Sequence, residues 1–252
     1  MEATSRTAPE PRRAAARRFP AHSADHRFFG AMPIVAALVI LAGFARTYGP
    51  KLATGEPEVP AIVHVHAALF TAWLGLLVTQ ARLVGRRIDL HRRLGTAMVG
   101  VAALMLVAGV ATAVAVTRSG HRGIPGLEFR EPAGFLLLNV ASIVVFSILV
   151  AAGWAFRWNP QAHKRLMLGA TIGGLMPPGI SRLPLVAGHA PAVAALVVAF
   201  LLVVPIYDLA TRRRVHPASA FTAALTLGTV PPPIVAAVAE TPAWQAVAGW
   251  LL

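Results

Sequence analysis

Pro60 to Gly95 reads PAIVHVHAALFTAWLGLLVTQARLVGRRIDLHRRLG, a mostly apolar run that opens on His64-Val65-His66 and closes on His91-Arg92-Arg93-Leu94-Gly95. A helix over 60–84 rises about 1.5 Å per residue, which puts His66 and His91 on the order of 35 Å apart, roughly a bilayer thickness. One site cannot use both ends. The histidines are therefore expected in two layers, one near each membrane face.

The rest of the chain repeats this pattern of long apolar blocks joined by short basic gaps. Of its 252 residues, 56% are hydrophobic and 13% charged, so lipid is the natural solvent. The net charge of +13 sits in the gaps rather than along one soluble face, which is the positive-inside pattern and argues against nucleic acid as a partner. With no cysteine, disulfides, thiolate ligands and a cysteine nucleophile are excluded. A metal or haem must rely on His, Met, Asp, Glu or Tyr.

Apolar segments of near 20 residues predict an all-α integral membrane bundle of about seven transmembrane helices, at 29–47, 60–84, 93–117, 133–157, 164–186, 190–210 and 218–239. They form one domain over 28–240. Residues 1–27, rich in Ala, Arg and Pro, read as a disordered basic tail, and 241–252 as an apolar end too short to cross. Basic gaps at 82–93, 157–165 and 211–215 alternate with charge-balanced ones, such as Lys51 against Glu56 and Glu58. The expected orientation is amino terminus inside and carboxy terminus outside, in a bacterial cytoplasmic (inner) membrane.

Two constellations follow. In the inner layer, His91, His163 and His216 each stand at the inner start of an odd-numbered span, with Asp208 at the same level on the sixth. Three imidazoles and a carboxylate are a plausible shell for a divalent metal, and imidazole pairs also ligate haem iron. Arg92, Arg93 and Arg165 would then hold propionates or another anion. The same residues also suit a helix end meeting headgroups, with Asp208 neutralising an arginine. In the outer layer, His64 and His66 are candidate ligands, but residues two apart on a helix turn to different faces. His66, Phe70, Trp73, Leu77 and Gln80 form a stripe that faces other helices. Arg182, near the outer end of the fifth span, is expected to snorkel or pair. Asn139 is expected to bond between helices.

A repeat links the fifth and seventh spans. Thr171-Ile172-Gly173-Gly174-Leu175-Met176-Pro177-Pro178 resembles Thr226-Leu227-Gly228-Thr229-Val230-Pro231-Pro232-Pro233, and each follows a histidine at its span's start. Consecutive prolines remove backbone donors, so both helices should bend or unwind near mid-membrane. Paired interruptions of this kind point to a small-molecule transporter cavity, though proline is also simply tolerated in membrane helices. No phosphate-cradling glycine loop, zincin helix or serine elbow is present.

The motif string His64-x-His66-Ala67-Ala68-Leu69-Phe70, His91-Arg92-Arg93-Leu94-Gly95, His163-Lys164-Arg165-Leu166-Met167 and Arg214-Val215-His216-Pro217 resembles an uncharacterised family of bacterial multi-spanning membrane proteins, over residues 28–220. That resemblance implies a fold and a location. A more distant similarity is to haem-binding membrane bundles of the cytochrome b561 and haem A synthase types, which carry paired histidines on neighbouring spans. Three functions are consistent with these readings. The first is a histidine-ligated haem b or divalent-metal protein in membrane redox chemistry. The others are a transporter with its cavity between the broken helices, and an accessory subunit that binds another membrane protein and no ligand.

Overall fold

The computed structural model describes residues 21–55, 59–124 and 126–252. In chain order the helices are α1 (Ala21–Thr47), α2 (Gly49–Thr54), α3 (Ala61–Leu83), α4 (Ile88–Arg118), α5 (Pro132–Ala155) and α6 (Pro160–Gly169). A π-helical segment (Ala170–Leu175) leads into α7 (Met176–Ile180), followed by α8 (Ala190–Arg212), α9 (Pro217–Thr229), α10 (Pro232–Ala239) and α11 (Pro242–Leu251). Between α4 and α5 lies a short antiparallel hairpin, β1 (Gly123–Ile124) against β2 (Leu127–Glu128). The all-α expectation is met.

Local chemistry sets many of the boundaries. Helices α5, α6, α9, α10 and α11 each begin on a proline, whose missing N–H is no loss in a first turn. The side chain of Asn159 caps α6 by accepting from the N–H groups of Gln161 and Ala162 at 3.1 and 3.2 Å, and Thr241 caps α11.

Five described helices, α1 from Ala24, α3, α4, α5 and α8, are long and apolar enough to cross a membrane. Only 17–33% of their most apolar windows is buried inside the protein, although mean hydropathy there runs from 1.9 to 2.6. Apolar side chains thus cover the outside of the bundle, an arrangement that needs lipid around it.

Two of the expected seven spans are interrupted at the proline repeats. Helices α9 and α10, bent by 49° at Val230 and Pro231, count as one span only when taken together, giving five or six candidate spans by length and composition among the described residues. The predicted fifth span, 164–186, is divided among α6, the π segment and α7. The reason is the missing donors of Pro177 and Pro178: the helix widens so that the N–H of Met176 reaches Thr171 O, five residues back. The seventh span bends as expected, whereas the fifth answers with a change of helical register.

Two further expectations meet different geometry. Helix α1 begins at Ala21, inside the stretch read as a tail, while residues 1–20 and the acidic pair Glu56 and Glu58 lie outside the described residues. Asn139 bonds within its own helix, its Nδ2 donating to Phe135 O at 2.7 Å.

The π segment is the centre of the bundle. Every one of its residues is buried. A Cβ on Gly174 would meet the backbone and side chain of Phe146 on α5, one on Gly169 would meet Thr222, and one on Gly173 would meet Thr226 on α9. Trp73 closes another side: it is wholly buried on α3, stacks edge-on against Phe146 at 4.8 Å, and donates its Nε1–H to Thr171 Oγ1 at 3.0 Å. Gly43 of α1 lies against the backbone of Gly179 in α7, too close for any side chain. Small residues here let backbones approach, as membrane helices require where no hydrophobic force drives them together.

Candidate functional site

The first turns of α4, α6 and α9 and the last turn of α8 meet at one end of the bundle. There, Asp208 and Arg165 form an ion pair with both side chains fully enclosed. Arg165 Nε donates to both carboxylate oxygens at 3.0 and 3.2 Å, and its Nη2 donates to Oδ1. The other Asp208 oxygen accepts from Ser219 Oγ at 2.6 Å and from the His216 N–H at 3.1 Å. Arg165 Nη1 is held by the backbone and side-chain oxygens of Gln161 at 2.9 and 2.8 Å. Every strong partner of both charges is protein, the condition for a buried pair to persist.

A second carboxylate extends this layer. Asp25 of α1 accepts from Tyr207 Oη at 2.7 Å, from Lys164 Nζ at 2.5 Å and from Gln161 Nε2 at 3.4 Å, with Arg212 at 3.6 Å. Phe29 lies under the Lys164 ammonium and the Arg165 guanidinium at 4.3 and 5.1 Å. Sequence reasoning missed Asp25, which falls in the stretch assigned to the tail. The signal available was its rarity: an acid at the start of the first apolar run, on the basic side of the bundle.

His91 and His163 come together at the edge of this layer, their rings nearly perpendicular and 6.3 Å apart between centroids. Each ring is oriented by a carbonyl in the last turn of the preceding long helix. His91 Nδ1 bonds to Gln80 O at 3.3 Å, and His163 Nδ1 bonds to Gly153 O at 2.8 Å. A carbonyl only accepts, so both Nδ1 atoms carry the hydrogen and, in the neutral rings, both Nε2 atoms keep a free lone pair. Gln80 returns a bond from Nε2 to His91 O at 3.0 Å, while its buried Oε1 has no hydrogen-bond partner.

The four-residue inner shell expected from the sequence is not assembled. Among the described residues no group of three or more His, Asp or Glu side chains is placed to hold a metal ion. Asp208 is committed to Arg165. His216 caps its own helix, its Nδ1 accepting from the Ala218 N–H at 3.1 Å, so the neutral ring carries its hydrogen on Nε2. Burial, reinforced by Arg165 against the pull of Asp208, holds the His216 pKa below its ordinary value. Of the candidate anion contacts, Arg165 is enclosed in its pair, Arg92 lies 5.8 Å over the exposed Trp158 ring, and Arg93 is exposed.

The outer candidates are spread apart. His64 Nδ1 and Tyr48 Oη share a hydrogen bond of 2.5 Å. His66 turns to another side, packs against Phe70 at 5.8 Å, and keeps a buried Nδ1 without a partner. Arg182 lies 4.8 Å over the Phe44 ring and donates to Pro178 O at 2.7 Å, capping the carbonyl end of α7. Pro177 and Pro178 lie in α7, and Pro231 and Pro232 at the α9–α10 break. Nearer the Arg165–Asp208 pair, Arg165, Gly169, Ile172, Ser219 and Thr222 line a space of about 10 Å³, room for one water.

Comparison of the chain with known protein families, with curated proteins and with solved structures finds no match in any of the three.

Proposed function

We propose that this is a multi-pass protein of the bacterial inner membrane, amino terminus inside, that performs redox chemistry at a metal or haem iron bound by His91 and His163. The observation that carries the reading is the tautomer of the two rings. A backbone carbonyl fixes each Nδ1–H, the usual outer support of a metal-ligating histidine, and leaves Nε2 as the donor. Ring centroids 6.3 Å apart leave room for one ion bonded to both rings at about 2.0–2.1 Å.

Two imidazoles alone suit haem b, which brings its own four equatorial nitrogens, or a divalent metal that completes its shell with water or substrate. Arg92 and Arg93 follow His91 in sequence and would meet propionates or an anionic substrate.

The test is an absorption spectrum of the detergent-purified protein, air-oxidised and then dithionite-reduced. Sharp reduced bands lost in both His91→Ala and His163→Ala support haem at this pair. A colourless protein removes haem and leaves the reading to metal analysis.

A further inference from the structure

The paired repeats meet at a buried hydroxyl that has no hydrogen-bond partner. Thr226 is 3% exposed, and its Oγ1 has no hydrogen-bond partner. That hydroxyl lies over Gly173, so close that it occupies the space a Cβ there would need. Threonines on membrane helices ordinarily return their hydroxyl to the carbonyl four residues back, as Thr222 does to Ala218 O at 3.0 Å. Thr226 does not.

The π segment facing it is short of donors for a separate reason. In its register the N–H groups assigned to the carbonyls of Ile172 and Gly173 belong to residues 177 and 178, both prolines. The Met176 N–H is already spent on Thr171 O, and no described side chain donates to either oxygen. Ile172 and Gly173 are both buried, so neither lipid nor bulk water is at hand. Orphaned acceptors at such depth are each costly and call for a water or an ion.

We propose that a dehydrated monovalent cation of sodium size binds between the π segment and α9, on the Thr226 hydroxyl and the carbonyl oxygens that Pro177 and Pro178 leave without donors. The two carbonyl oxygens only accept and the Thr226 hydroxyl offers lone pairs as well as its hydrogen, which selects a cation over an anion. They are neutral, and the nearest buried carboxylate, Asp208, is already paired with Arg165. A divalent ion, which draws on carboxylates, is therefore disfavoured, whereas carbonyl oxygens replace the hydration shell of a monovalent one. Interrupted helices near the bilayer centre place unwound carbonyls for this use. The site shares no residue with the His91–His163 pair and stands or falls apart from it.

The experiment is thermal unfolding of the full chain in detergent, with NaCl, KCl and choline chloride compared at equal ionic strength. The melting temperature is expected to rise with the logarithm of Na⁺ concentration and to stay flat in choline. Thr226→Ser keeps the Na⁺-dependent rise and Thr226→Val abolishes it. Should Thr226→Val fail to fold, the double variant Pro177→Ala/Pro178→Ala is read instead: it returns N–H donors to the carbonyls and is expected to lose the rise. Equal melting in all three salts overturns the proposal and leaves a water as the occupant. A rise with K⁺ but not Na⁺ overturns the sodium assignment, and a Na⁺ rise that survives the variants places the ion elsewhere.

Discussion

Arg165 of α6 and Asp208 of α8 face each other with neither side chain reaching solvent, and they join helices that lie far apart in sequence. Removing one partner leaves the other as an uncompensated buried charge. Asp208→Ala is expected to destabilise the bundle by about 3–5 kcal/mol, seen as a lower melting temperature and loss of a monodisperse peak. Arg165→Met combined with Asp208→Leu recovers only part of this, because Ser219 and the His216 N–H also lose their acceptor. Full stability in the single variant would show that the pair does not hold the helices.

Trp73 and Thr171 couple α3 to the π segment through one buried hydrogen bond. Thr171→Val keeps the shape and strands the indole N–H, an expected loss of about 1–3 kcal/mol. The accompanying change in Trp73 fluorescence is the check, with Thr171→Ser restoring both signals.

Gly169 receives Thr222 where a Cβ would sit within 2.6 Å of its hydroxyl oxygen. Gly169→Ala is expected to destabilise by about 1–3 kcal/mol through overpacking. Adding Thr222→Ala relieves part of that loss. Non-additivity of the two changes in thermal melts measures the contact directly.

His216 gives a pH dependence of known sign. Its pKa is lowered in the folded protein, so its contribution to stability is present above the unfolded value of about 6.5 and is lost as pH falls through the folded value. Protonation converts the Nδ1 acceptor into a donor and ends the cap on Ala218. His216→Asn should keep the cap and flatten the acid limb of the stability profile, and His216→Ala should cost about 1 kcal/mol at neutral pH. A His216→Asn profile as steep as the wild type would assign the acid limb to another group.

Much of the architecture was legible because the membrane imposes it. Blocks such as 60–84 and 133–157 must be helices of bilayer length, and α3 and α5 fall on them almost to the residue. The stripe from Trp73 to Gln80 was legible for the same reason, since a polar amide and an indole N–H seek protein rather than lipid. What periodicity did not carry was competition among partners. Asp208 had several plausible cations and hydroxyls within its layer, and only the packing of α6 against α9 selects Arg165 and Ser219 over a metal. His216 was drawn to capping by the three residues that follow it, a local bond that sequence spacing alone does not rank against ligation. The π segment was hidden because two prolines can bend a helix or widen it, and the close approach of Thr222 and Thr226 to the Gly169 and Gly173 backbone accompanies the second outcome.

The central claim is that His91 and His163 bind a metal centre through Nε2. Its most direct test is elemental analysis of the purified protein for iron, copper, zinc and manganese, with His163→Ala and His216→Ala measured beside the wild type. A stoichiometric metal that is lost in His163→Ala and retained in His216→Ala is the predicted result. A metal-free wild type, or a content unchanged in His163→Ala, would contradict it.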